Sequence, residues 1–155
     1  MKDTKAKVDI IPGDARLSLE SELAAGQTHA YDVLVLDVFS NDAIPIHLLD
    51  EQAFALYLQF LQRDGVLAVH ITNGYLDLVP VVWGLADHFG LDRIVIEDPS
   101  DGHFTSASTW MLLARDPAVL AVSAILSRAK PMAGYTTSLR LWTDEYSNLF
   151  QILKH

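Results

Sequence analysis

The sequence contains no cysteine. A disulfide framework, a thiolate zinc site, an iron–sulfur cluster and a cysteine nucleophile are therefore excluded. Basic side chains are scarce: 11 Lys and Arg stand against 20 Asp and Glu, a net charge of -9. Binding to nucleic acid needs clustered cations to neutralise phosphates, so no nucleic-acid partner is expected. No apolar run approaches the ~20 residues that span a bilayer; the longest cover residues 33–36 and 78–85. The polar start, with Lys2, Lys5 and Lys7, leads into no apolar h-region, so neither a secretory signal nor membrane insertion is expected, and the location expected is cytoplasmic. Several catalytic signatures are missing as well. There is no H-E-x-x-H, no G-x-S-x-G elbow, no Walker A and no G-x-G-x-x-G, since no two of the eight glycines lie two apart.

What is present fits one domain of ordinary size: 155 residues, 50% hydrophobic and 20% charged. Residues 8–12 (VDIIP) read as a strand that runs into the Pro12-Gly13 turn. Asp14 is placed to cap a helix over residues 15–25, which Gly26 stops. Residues 33–37 (VLVLD) are a continuous apolar run, as expected of a strand buried on both faces. Residues 48–62 carry apolar side chains at 49, 53, 56, 57, 60 and 61, a helical period. A strand over 66–71, a helix over 75–89 ending at Gly90, and strands over 93–97 and 109–114 follow. A helix over 117–128, an irregular tail and a short final helix over 148–153 complete the chain. Strands alternating with helices predict an α/β fold with a mostly parallel sheet.

In such sheets ligands bind outside the carboxyl ends of the strands. That rule selects Asp37, at the end of its strand, as a carboxylate half removed from water and suited to general-base work; the alternative is a cap for the following loop. Asp42, in the same loop, could pair with it to bind an amine or a metal. Gly13, Asp14 and Ala15 form a strand-to-helix turn whose carboxylate could accept from an exocyclic amine, or simply cap the helix. Asn73 and Tyr75 follow the next strand and face the same crevice. His47, Asp50 and His70 lack metal-ligand spacing and read as structural or capping groups.

Three stretches resemble a known family: VDIIPGDAR, then YDVLVLDVFSNDAIPIHLLDEQAFALYLQFLQRDGVLAVHITNGYLDLVPVV, then WTDEYSNLFQIL. They are similar to the catalytic domain of polyamine aminopropyltransferases (spermidine synthase). The nearest likeness is to bacterial spermidine-synthase-like proteins, often fused behind a membrane transporter-like segment. The resemblance implies a Rossmann-like class I S-adenosylmethionine-dependent methyltransferase-type fold, with residues 8–12 as its third strand. The first two strands and the glycine-rich loop would lie upstream of Met1, so the chain is expected to be a partial domain that is inactive alone. The same resemblance makes decarboxylated S-adenosylmethionine, or S-adenosylmethionine, a co-substrate that is not tightly bound. It assigns Asp14, with Gly13 and Ala15, to the adenine, and Asp37 to orienting and deprotonating the attacking amine. Where spermidine synthases carry a second Asp three residues on, this chain has Ser40, with Asp42 as the candidate substitute for holding a diamine such as putrescine. Asp144 and Tyr146 match a T-D-x-Y motif of the fused proteins. An acidic domain suits a cationic amine substrate.

Two other functions remain open at this point. One is a non-catalytic Rossmann-like module that binds a small molecule or partner, for example sensing polyamines beside a membrane protein. The other is a metal-dependent hydrolase using Asp37, Asp42 and His70. Open edges on buried-type strands promote pairing. Residues 8–12 are therefore expected to pair with residues 33–37 or with another chain, the latter giving a homo-oligomer.

Overall fold

A computed structural model describes residues 5–37, 45–99 and 107–154. Among the described residues five helices and four strands follow in the order α1 (Ala15–Ala24), β1 (Tyr31–Leu36), α2 (Glu51–Phe60), β2 (Leu61–His70), α3 (Val79–Phe89), β3 (Asp92–Asp98), β4 (Ser108–Ala114), α4 (Pro117–Leu120) and α5 (Ser123–Leu126). Short 3₁₀ turns at Ile46–Leu48 and Leu149–Ile152 accompany them.

The fold is α/β, with an open four-stranded sheet of order β1-β2-β4-β3. Strand β1 runs parallel to β2, whereas β4 is antiparallel to both its neighbours. Three strands thus point one way, but only one of the three pairings is parallel, which corrects the expectation of a mostly parallel sheet. A parallel return needs a crossover of a dozen or more residues. The short link between Asp98 and Ser108 leaves no room for one, so β3 and β4 form an antiparallel pair.

Local chemistry sets the helix ends. Asp14 caps α1 by accepting the Leu17 amide at 3.0 Å, and Asp50 caps α2 by accepting the Ala53 amide at 2.8 Å. Helix α3 starts at Val79 rather than at residue 75. The Asn73 side-chain oxygen instead accepts the Tyr75 and Leu76 amides, and Asp77 accepts that of Val79. Pro80 then falls in the first turn, where its missing N–H costs nothing. Gly90 ends α3 at φ 63, the left-handed region that favours glycine. The helix expected over 117–128 is divided, because Val122 is extended at ψ 134.

The core lies between the sheet and helices α2 and α3. Phe54, Tyr57 and Phe60 from α2 and Val82, Leu85 and Ala86 from α3 meet Leu67, Val69, Met111 and Leu113 of the sheet. Strand β1 departs from expectation. It is an edge, and Val33 and Val35 are 56% and 52% exposed, so it is not buried on both faces. Residues 8–12 form no strand and pair with none of the described strands; Val8, Ile10 and Ile11 are exposed. An extended segment becomes a strand only when a neighbour takes its backbone hydrogen bonds.

Gly65 marks a tight point between β1 and β2. A Cβ there would sit 2.8 Å from the Tyr31 carbonyl oxygen and 2.8 Å from the Leu61 side chain. The register shifts between Tyr31 and Val33, beside this contact. Gly65→Ala is expected to cost about 1–3 kcal/mol in urea unfolding, the scale of overpacking. An unchanged midpoint would show that the strands separate without strain.

Candidate functional site

Because β1 and β2 are parallel and Leu36 stands opposite Val69, the residues that follow them emerge side by side. Asp37 Oδ1 lies 2.7 Å from His70 Nδ1. The other ring nitrogen, Nε2, lies 2.7 Å from Thr72 Oγ1, which itself accepts the Thr109 amide at 2.7 Å. The imidazole also stacks on Trp110, with centroids 4.6 Å apart and planes 17° apart. Asp37 is 59% exposed and His70 20% exposed. Among the described residues Asp37 Oδ2 has no partner. One carboxylate oxygen is thus anchored, on a largely exposed side chain at the carboxyl end of the parallel pair.

Beside Thr72 the rim opens into a cavity of about 370 Å³, lined in part by Glu97, Lys130, Tyr135 and Lys154. Lys130 pairs with Glu97 at 2.6 Å, and Lys154 donates to the Asn73 carbonyl at 2.7 Å. Burial, with Asp77 nearby, pushes the Tyr135 phenol above its ordinary range.

The other predicted site residues divide. Asp14 spends one oxygen on its cap, and the other lies 2.8 Å from His47 Nε2. The Leu17 amide first, then His47, hold its carboxyl below the usual range. Gly13, at φ 131, and Ala15 flank it in the turn. Asn73 is buried and its side-chain oxygen is engaged in the turn before α3, whereas the Tyr75 side chain is exposed. Asp42 and Ser40 lie outside the described residues. His47, Asp50 and His70 do not converge, and among the described residues no three His, Cys, Asp or Glu are grouped to hold a metal.

Sequence reasoning groups His70 with Asp37 only as ligands of a metal-dependent hydrolase, not as a hydrogen-bonded pair, and it misses Thr72. The available signal was register: adjacent parallel strands of similar end point place their next residues together. It also missed Arg16, which ties three elements. Arg16 donates through Nη1 and Nη2 to both oxygens of Asp144 at 2.6 and 2.9 Å, through Nη1 to Asp50 at 3.1 Å, and through Nε to Glu20 at 2.9 Å. The Asp144 amide donates to Gln52 in α2, and Tyr146 carries the Arg140 guanidinium 3.9 Å above its ring. The T-D-x-Y motif therefore has a physical role here: it fastens the tail to α1 and α2.

These carboxylates predict an acid limb in stability. Arg16 first of all holds Asp144 below the ordinary range, and Asp14 is lowered too; both contribute stability above the unfolded Asp value of about 3.9 that is lost as pH falls through their folded values. Burial first of all raises Asp50, so its contribution has the opposite sign and declines as pH rises from about 3.9 to its folded value. Urea midpoints measured against pH should fall below about pH 4. Asp144→Asn and Asp14→Asn should flatten that fall, and an unaltered slope in both would contradict the assignment.

Compared with known proteins, the chain matches no family model and no curated protein.

Proposed function

We propose that this chain is a spermidine synthase-like transferase domain of class I S-adenosylmethionine-dependent methyltransferase-type fold. The reaction is aminopropyl transfer from decarboxylated S-adenosylmethionine to a diamine such as putrescine. The observation that carries the reading is the exposed Asp37 carboxylate at the strand end, anchored through Oδ1 by His70, with Oδ2 unpartnered among the described residues. A protonated amine is no nucleophile, so the reaction needs a base beside it. Asp37 receives the ammonium, orients it and takes one proton. The freed nitrogen lone pair bonds to the carbon next to the sulfonium, and the carbon–sulfur pair leaves with the sulfur as a neutral thioether. Since the leaving group is already good, alignment of amine and carbon supplies much of the acceleration.

The open edge of β1 also supports this reading. Exposed Val33 and Val35 offer that edge for a further strand to cover. The position of Asp14 favours the non-catalytic alternative instead, since an adenine amine would have to share or displace the His47 contact.

Putrescine titrated into ¹⁵N-labelled protein tests the proposal. Shifts should saturate and concentrate on Asp37, His70 and their neighbours. Scattered, non-saturating shifts would overturn it.

A further inference from the structure

We infer that His70 is the positioning residue for Asp37, holding one carboxylate oxygen so that the other meets the amine; this rests on the reading of Asp37 as the amine-binding carboxylate. The hydrogen-bond chemistry fixes the ring's tautomer. A carboxylate only accepts, so His70 Nδ1 must carry the proton that bridges to Asp37 Oδ1, 2.7 Å away. The Thr72 oxygen already accepts the Thr109 amide, so its own O–H is available to His70 Nε2, also 2.7 Å away. The alternative, with Nε2 protonated, would turn the Thr72 hydroxyl to the Thr109 carbonyl, a longer contact of 3.4 Å. Trp110 then sets the plane of the ring by stacking on it. The imidazole is thus held on both nitrogens and one face, whereas Asp37 is mostly exposed and has no other anchor among the described residues. Without His70 the carboxylate would rotate freely, and its orientation would have to be fixed anew on each binding event.

The experiment has two parts. Ring ¹⁵N spectra at neutral pH should show His70 with the proton on Nδ1 in the wild type. A proton resident on Nε2 would overturn the inference. Putrescine affinity is then compared across variants that remain folded by circular dichroism. His70→Phe should weaken binding about tenfold, the scale of one charge-assisted hydrogen bond. His70→Asn should recover most of the loss, because its amide nitrogen occupies the place of Nδ1. Wild-type affinity in His70→Phe, with binding lost in Asp37→Asn, would defeat the role of His70 and leave that of Asp37 standing. Wild-type affinity in Asp37→Asn would instead defeat the reading of Asp37. If His70→Phe does not fold, His70→Gln decides: its amide reaches the place of Nε2 rather than Nδ1 and so loses the contact with Asp37, and wild-type affinity there would overturn the inference.

Discussion

Trp142→Ala is expected to lower the unfolding free energy by about 3–5 kcal/mol, the cost of removing a large aromatic from a packed core. Trp142 is 1% exposed and belongs to the central cluster although it lies in the irregular tail. Its carbonyl also accepts the Glu51 amide at 2.9 Å, at the start of α2. The tail has few regular hydrogen bonds of its own. It is held by scattered contacts, such as Asp77 N–H to the Ile152 carbonyl and Lys154 N–H to the Tyr75 carbonyl. Losing the indole should therefore free the tail and reduce the urea m-value as well as the midpoint. Trp142→Phe separates packing from polarity. The indole Nε1 is buried without a hydrogen-bond partner. Removing that orphan donor offsets part of the lost contact, so the phenylalanine variant should cost under about 1.5 kcal/mol. Equal losses in the two variants would show that Trp142 contributes by its N–H and not by its volume.

Arg16→Ala should cost about 2–4 kcal/mol. The value lies near the lower end of the range for breaking a buried ion pair, because Arg16 is only partly enclosed. The residue that suffers is Asp50, 1% exposed, which would keep its cap to Ala53 but lose its cation. Asp144→Asn should cost under about 1 kcal/mol, since that partner is half exposed and water compensates. Arg16→Lys should recover little. An ammonium cannot reproduce the two-pronged contact with Asp144 while also reaching Asp50 and Glu20. Thermal unfolding of the three variants checks the order, and a lysine variant as stable as wild type would show that charge alone suffices.

The strands were legible in the sequence because a continuous apolar run such as residues 33–36 has few other uses. Their direction was not, because residues 109–114 look the same whichever way they run; only the short link between Asp98 and Ser108 held the answer. Residues 8–12 form no strand within this chain for the opposite reason: an apolar composition does not supply a neighbouring strand. At the site, Asp37 was visible from its place after a strand, and Asp14 and Asp50 as caps from their places before helices. The hydrogen bonds between them and their partners were not visible. His70 is 33 residues from Asp37, and Asp144 is 128 residues from Arg16. Contacts that distant are fixed by strand register and tail packing, which no local pattern encodes.

The central claim is that Asp37 receives an amine. Calorimetric titration of putrescine into the wild type and into Asp37→Asn measures this directly. Saturable binding by the wild type, weakened about tenfold or more in the variant, is the predicted result. Equal affinities in the two proteins, or no binding by a folded wild type, would contradict it.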